Sequence, residues 1–218
     1  MHTPLTSPGQ GRTPTTTSYA VLAVLALRDH STYDLTKQVR FSLRYLWPRA
    51  ESNVYAEPKR LVASGLARSR TEWTGGRRRT IYSITDDGRA ALADWLAAPS
   101  TVQRYESEAV LKVLFAENGS LDDLLASIRS LREDAAAAVA HWREIADLYA
   151  SGNGEYPNRF ALSALAARLL GEQQRVTERW AIWAEQIVTG WDEPSGGTVE
   201  WGVETLRATG TPFERRRQ

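Results

Sequence analysis

The residues best suited to chemistry in this sequence are cationic, and they gather in one part of the chain. Between residues 40 and 79 ten basic residues face three acidic ones, Glu51, Glu57 and Glu72, although the whole chain has a net charge of only +1. The basic residues are Arg40, Arg44, Arg49, Lys59, Arg60, Arg68, Arg70, Arg77, Arg78 and Arg79. A local excess of positive charge is typical of a surface that binds a polyanion. A solvated basic face is the alternative.

A helix and a hairpin must position these cations. Residues 50–64 predict a helix with a basic side and an apolar side, which ends before Gly65. The alternating runs Leu66–Thr74 and Thr80–Thr85 then flank a Gly-Gly-Arg-Arg-Arg tip, a pattern that predicts a β-hairpin. Such a unit can follow a DNA backbone, with the helix in the major groove and the tip at an adjacent groove. Pro58 either kinks the helix or lies in the first turn of a segment that begins near Glu57.

The order of predicted elements divides the chain into four parts. Residues 1–17, rich in Thr, Pro, Ser and Gly, predict a disordered arm. Residues 18–99 predict a domain of helices with the two-stranded hairpin. Residues 100–189 predict an all-α domain, and residues 190–218 an irregular tail. The expected fold class is therefore mainly α.

Two long helices are predicted in the second half. Apolar residues recur every three or four positions from Leu121 to Tyr149 and again from Pro157 to Thr189. The second helix carries a stripe close to heptad spacing: Leu162, Leu165, Leu169, Val176, Trp180, Trp183 and Ile187. Helices this long cannot bury both faces in a small bundle, so the stripe predicts a homodimer. The alternative is a monomeric antiparallel hairpin packed on a helix at residues 105–117.

Aromatic residues in these helices predict a second binding site. Trp142, Tyr149, Trp180 and Trp183 could stack on a planar compound near the dimer interface. Core or interface packing is the alternative, and the commoner, role for each tryptophan.

The sequence argues against an enzyme, a metalloprotein and a membrane protein. There is no cysteine, and His2, His30 and His141 are too dispersed to suggest a metal site. Neither a Gly-x-Ser-x-Gly elbow nor a phosphate-binding glycine loop is present. We therefore expect no cofactor. No apolar run reaches the roughly 20 residues that span a bilayer, and the N-terminus lacks the apolar core of a signal peptide. These features predict a cytoplasmic protein.

The motifs of residues 18–98 resemble the PadR family of bacterial transcriptional regulators. The residues that carry the resemblance are Tyr19–Leu27, Tyr33-Asp-Leu, Asn53-Val-Tyr-Ala-Glu-Pro-Lys-Arg-Leu-Val-Ala-Ser-Gly-Leu66, and Gly75-Gly-Arg-Arg-Arg-Thr-Ile-Tyr-Ser-Ile-Thr-Asp-Asp-Gly-Arg-Ala-Ala-Leu-Ala-Asp-Trp95-Leu. The helical second half is similar to the longer, two-domain branch in architecture only. The resemblance implies a winged helix-turn-helix domain, a dimer joined by C-terminal helices and, usually, repression. Some relatives respond to phenolic acids or flat hydrophobic drugs.

The resemblance also implies roles for individual residues. The recognition helix would hold Asn53–Leu61, and Tyr55 matches a tyrosine that commonly contacts the DNA backbone. Pro58 stands where many members have leucine. The residues expected to contact phosphate are Arg77, Arg78, Arg79, Lys59 and Tyr55, with a narrow minor groove as the alternative for the three arginines.

Base readout is expected from a second group of residues. Ser52, Asn53 and Arg49 could bond base edges, and a dimer would read an inverted repeat. Glu51 and Glu57 either accept from cytosine or cap the helix, and capping is the favoured interpretation.

Two other classes of protein fit parts of the same pattern. A winged-helix protein-interaction module would use the basic face to bind an acidic protein without sequence-specific DNA binding. A ligand-sensing regulator of another winged-helix family is the second alternative. The C-terminal helical dimerisation, without a long N-terminal dimer helix, argues against that family.

Overall fold

The computed structural model of the protein describes residues 13–47, 53–102 and 105–210. The chain divides into two compact units, and the division falls after Val102, near the boundary predicted at residue 99.

In its described residues, the first unit combines helices with a small antiparallel sheet. Its helices are α1 (Thr16–Leu25), α2 (Thr32–Leu43), α3 (Glu57–Ala63) and α4 (Asp86–Ala97), and its strands are β1 (His30–Ser31), β2 (Ala67–Thr74) and β3 (Arg77–Ile84). The strand order is β1-β3-β2, so the two-residue strand β1 adds a third strand to the predicted two-stranded wing. The predicted fold class, a mainly α chain with an N-terminal winged helix, is confirmed.

One apolar core holds this unit together. Leu22 of α1, Leu35 of α2 and Leu61 of α3 are almost completely buried, and Tyr82 and Ile84 of β3 pack on the same cluster. The other members are Val21, Val24, Leu25, Val39, Val54, Ala67 and Leu92. Helix α4 lies close to the backbone that joins α3 to β2, because a Cβ at Gly88 would be 2.0 Å from the Leu66 carbonyl oxygen.

Helix α1 begins earlier than the composition predicts. The Thr15 hydroxyl accepts from the Ser18 amide at 3.2 Å, and the Ser18 hydroxyl accepts from the Thr15 amide at 2.8 Å. This reciprocal capping starts the helix at Thr16. The prediction of a disordered arm is therefore wrong for Thr16 and Thr17, and residues 1–12 of that arm lie outside the described residues.

A buried hydrogen bond joins α1 to α3. The Ser18 hydroxyl donates to the Glu57 carboxylate at 2.5 Å, and both residues are at least 95% buried. The second carboxylate oxygen of Glu57 pairs with Arg60 at 3.2 Å. Because a buried carboxylate needs such partners, this contact fixes where α3 starts relative to α1.

The second unit is helical throughout its described residues. It contains α5 (Glu108–Leu114), α6 (Leu121–Ala150), α7 (Phe160–Val188) and α8 (Val199–Arg207), with 3-10 turns at Ala116–Asn118 and Pro157–Arg159. Helices α6 and α7 form an antiparallel hairpin. Near one end Glu185 accepts from Arg129 at 2.6 Å and from Arg132 at 2.7 Å. At the other end the rings of Tyr149 and Phe160 stack with centroids 3.9 Å apart.

The residues after α7 differ from the irregular tail that the sequence predicts. The Thr198 hydroxyl accepts from the Trp201 amide at 3.2 Å and caps α8. The Trp201 ring packs edge-on to Trp191 and stacks near Trp183, with centroids 5.5 and 6.2 Å apart. A capped, aromatic-anchored helix thus replaces the predicted irregular structure, while residues 211–218 lie outside the described ranges. No helix in those ranges has an apolar stretch long enough to cross a bilayer.

Replacing Glu57 with alanine is expected to lower the free energy of unfolding of the first unit. The change leaves the buried Ser18 hydroxyl without its acceptor, which costs about 1–3 kcal/mol. Urea unfolding followed by circular dichroism measures the loss. Ser18→Ala and the double variant complete the test: because the two side chains share one bond, the double variant should lose less than the two single variants added together. Strictly additive losses would contradict the assignment.

Candidate nucleic-acid interface

The segment predicted as the recognition helix is divided in two by Pro58. Helix α3 begins at Glu57 with Pro58 in its first turn, where the missing amide removes no helical bond. Before it, the Ala56 amide donates to the Asn53 carbonyl at 3.0 Å and closes a turn. A continuous helix over Asn53–Leu61 is therefore wrong, and of the two alternatives for Pro58 the first-turn position is confirmed.

The described residues of this segment alternate between core and solvent. Val54 is fully buried and anchors the turn, whereas Tyr55 is 62% exposed and Lys59 is exposed. Asn53 is half-buried beside them. Arg49, Ser52 and Glu51 lie outside the described residues. Tyr55 and Lys59 thus lie on opposite sides of the start of α3 in sequence, one in the turn and one in the helix.

Glu57 cannot read a base in this arrangement. Its side chain is buried, and its two carboxylate oxygens contact Ser18 and Arg60. The cytosine-contact alternative for Glu57 is therefore wrong. Glu57 lies in the first turn of α3, where a negative charge is favourable, but the N-cap is Ala56 and the helix start has no side-chain cap hydrogen bond, so Glu57 does not cap α3 as the favoured interpretation expects.

The tip of the wing is shorter than the sequence predicts. Gly75 and Gly76 have φ of 56° and 76°, which makes a two-residue turn of the type that glycine favours. Arg77, Arg78 and Arg79 then belong to strand β3 instead of the tip, and all three are exposed. None of the three forms an ion pair with another described residue.

Strand alternation sends these arginines to opposite faces of the wing. Arg78 pairs across the hairpin with Trp73, in line with the pairs Ser69–Tyr82 and Ala67–Ile84, whose buried members face the helices. Arg77 and Arg79 lie on the other face, where Arg79 is opposite Glu72. Trp73, which the sequence patterns do not single out, shares the face of Arg78 and is 72% exposed. If Gly75-Gly76 is taken as a two-residue turn, the sequence alone predicts that Trp73 and Arg78 are cross-strand partners on one face.

An ion-pair cluster around Arg70 joins β2 to Asp29, the residue before β1. Arg70 donates to Asp29 at 2.5 Å, to Glu72 at 2.8 Å and to Ser83 at 3.1 Å. The hydrogen bond from Arg70, then the one from Ser83, holds the pKa of Asp29 below its ordinary value. The hydrogen bond to Asp29, then the one to Glu72, raises the pKa of Arg70. Arg70 is therefore held by acidic side chains of the protein, whereas Arg77, Arg78 and Arg79 form no ion pair with another described residue.

The predicted dimerisation stripe changes its surroundings along α7. Leu162, Leu165 and Leu169 are 67%, 72% and 61% exposed, and Val176 is exposed as well. Trp180 and Trp183 instead pack on the cluster that α7 forms with α6, and Ile187 is half-buried. A heptad stripe rotates by about 20° per heptad around a straight helix, so it turns by about 60° between Leu162 and Trp183.

The four aromatic residues of the predicted pocket do not come together within the chain. Tyr149 stacks on Phe160 at the start of α7, and Trp142 lies near His141 about two turns earlier in α6. Trp180 and Trp183 are about 30 Å farther along α7 at 1.5 Å per residue.

A cleft of about 960 Å³ lies elsewhere in this unit, beside α5 and α6. Leu111, Phe115 and Leu131 contribute to its lining, and none of the four aromatic residues does. Within the described ranges no group of three His, Cys, Asp or Glu residues could hold a metal ion.

Comparison with known sequences identifies the first unit. Residues 21–94 match the family model described as "Transcriptional regulator PadR-like family". The negative transcriptional regulator PadR of Bacillus subtilis (strain 168) is 31% identical over 99 residues, 44% of this chain and 54% of that protein. The chain thus spans about half the length of the curated relatives it matches.

Solved structures show the same fold over more of the chain. Bacillus subtilis PadR in complex with operator DNA has a TM-score of 0.62 and 22% identity, covering 78% of this chain and 98% of that one. Its complex with p-coumaric acid has a TM-score of 0.52, 21% identity and coverage of 79% and 98%. The Vibrio cholerae virulence activator AphA has a TM-score of 0.58, 26% identity and coverage of 80% and 98%. Residues 21–94 of this chain therefore form a PadR-like domain, of the kind found in transcriptional regulators.

Proposed function

We propose that the protein binds double-stranded DNA as a homodimer and represses transcription. The observation that carries the proposal is the set of three exposed arginines, Arg77, Arg78 and Arg79, on a wing of a PadR-like domain. Cations without acidic partners are available to phosphate, and their contacts with DNA would supply most of the affinity.

The contacts with DNA divide between α3 and the wing. Tyr55 and Lys59 are exposed at the start of α3 and would contact the backbone, with Asn53 next to them for a base edge. The wing arginines would contact phosphate or a narrow minor groove. Base contacts by Arg49 and Ser52 stay predictions from the sequence.

The exposed half of the α7 stripe supports the homodimer. Leu162, Leu165, Leu169 and Val176 lie at spacings of three, four and seven residues, so they share one side of the helix. A row of exposed leucines in a helix is the pattern that a partner helix covers. In the proposed dimer these four residues contact the second copy, while Trp180 and Trp183 support α7 from its own chain.

Repression and a response to an aromatic effector are finer parts of the proposal. Repression is supported by the Bacillus subtilis relative, which is named a negative regulator. An effector is supported by the p-coumaric acid complex of the same relative. Because Tyr149 and Trp183 lie far apart within one chain, an effector would contact one end of the α6–α7 hairpin or the other, or the cleft beside α5.

Binding to DNA is expected to depend on the wing arginines and on salt. Fluorescence anisotropy should show tighter binding to duplex DNA from the upstream region of the protein's own gene than to a scrambled duplex. Arg77/Arg78/Arg79→Ala should weaken binding to both. It should also flatten the slope of log K against log salt by about 0.9 for each phosphate that the variant no longer neutralises.

A second triple variant controls for net charge. Arg143/Arg179/Arg207→Ala removes the same charge from exposed positions of the helical unit and should leave the salt slope close to that of the wild type. Equal, weak binding of both duplexes, unchanged by the wing variant, would reject the proposal in favour of a protein-interaction module.

Breaking the α7 stripe is expected to separate the dimer. Leu165→Glu puts a charge in the middle of the apolar row, and size-exclusion chromatography with light scattering should show a shift from dimer to monomer. Leu96→Glu, at an exposed leucine of α4, is the matched control and should stay dimeric. A Leu165→Glu protein that remains a dimer would show that another surface joins the two copies.

A further inference from the structure

The wing exposes a large aromatic side chain, Trp73, and phosphate contacts by the wing arginines do not account for it. Trp73 is the next-to-last residue of β2, and its indole is 72% exposed. A single exposed aromatic residue is ordinary on a protein surface. Whether Trp73 has a role depends on the residues around it, and the residues around it include the wing arginines.

The register of the hairpin shows which cation accompanies Trp73. Its cross-strand partner is Arg78, and cross-strand partners lie on the same face with Cβ atoms about 5 Å apart. Arg78 Nη2 lies 3.5 Å from Oγ1 of Thr71, two residues before Trp73 on the same face. Trp73 and Arg78 are thus adjacent on the side of the sheet that the helices cover farther down.

The two faces of the wing differ in charge and in polarity. The face of Arg77 and Arg79 also carries Glu72, and at its base Arg70 is held by Glu72 and Asp29. The face of Trp73 and Arg78 continues through Thr71 and Thr80 to the buried Tyr82 and has no acidic residue in strands β2 and β3. A cation beside an apolar ring matches a DNA backbone, which alternates phosphates with apolar deoxyribose rings.

We propose that Trp73 packs on the deoxyribose rim of the minor groove while Arg78 reaches into that groove. This inference rests on the proposed DNA-binding function and adds a contact to it. The minor groove is about 6 Å wide, which admits an extended arginine but not the two strands of the hairpin. The indole therefore stays at the rim of the groove. There its apolar surface is buried against deoxyribose rings, a contact that involves no ion pair. Such a contact carries no sequence information.

The test is a set of variants measured on the upstream and scrambled duplexes across a salt series. Trp73→Ala should weaken binding to both duplexes by the same factor, about tenfold, the scale of partly burying an aromatic side chain. It should leave the salt slope unchanged because the charge of the protein stays the same. Trp73→Phe should recover most of the affinity. Arg78→Ala should weaken binding and also flatten the slope.

Double variants distinguish the two faces. Trp73→Ala combined with Arg78→Ala should weaken binding by less than the product of the single effects, since the two residues share one groove contact. Trp73→Ala combined with Arg79→Ala, on the opposite face, should weaken binding by the full product of the two single effects. As a direct readout, protein labelled with 5-fluorotryptophan should show a shift of the Trp73 ¹⁹F resonance on adding duplex. The resonance that is missing from the spectrum of labelled Trp73→Phe protein is assigned to Trp73.

Each result bears on one of the two proposals. If the wild type binds neither duplex, the DNA-binding function and the role of Trp73 both fail. If the wild type binds and Arg78→Ala weakens it while Trp73→Ala binds normally, the function stands and the role of Trp73 is overturned. Equal coupling of Trp73 to Arg78 and to Arg79 would also overturn it. Circular dichroism of the variants confirms that each remains folded.

Discussion

The two-residue turn at Gly75 and Gly76 determines how the wing presents its charge. Both glycines adopt positive φ, so the strands close directly and the arginine run becomes part of β3. Because side chains alternate along a strand, neighbouring arginines cannot act on the same side. The wing therefore has a cationic and apolar face with Arg78 and Trp73, and a second face where Arg79 is opposite Glu72.

In the helical unit, the geometry of the α-helix likewise decides which residues of the α7 stripe share a surface. The spacing of the α7 stripe is nearly constant, yet a constant heptad spacing does not keep to one side of a straight α-helix. The leucines near the start of α7 are exposed, whereas Trp180 and Trp183 pack on α6. One sequence pattern thus serves two surfaces, contact with α6 at one end and an open apolar row at the other.

Periodicity was enough to predict the long helices, whose bounds Leu121–Ala150 and Phe160–Val188 differ little from the expected ones. The starts of the shorter helices and the contacts of single side chains were harder to predict. The role of Glu57 depends on Ser18, 39 residues away, a contact that no local pattern indicates. The start of α1 depends on whether Thr15 or Ser18 caps it, since both have suitable side chains. The candidate site residues Tyr55, Lys59 and Arg77–Arg79 follow from residue type and position in the sequence, whereas the face on which each arginine lies follows only from the turn geometry.

Ala135 and Ala138 in the middle of α6 are buried, and the α6–α7 hairpin is also joined near its two ends, by Glu185 with two arginines and by the Tyr149–Phe160 stack. Between them lies the stretch of α7 that exposes Leu165 and Leu169. In the proposed homodimer, a second copy that covers this stretch would bind the folded hairpin and not the unfolded one, so mass action would make the melting temperature rise with protein concentration. The thermal resistance of the helical unit would then follow how much of the protein a cell makes, and a scarce regulator would be a fragile one.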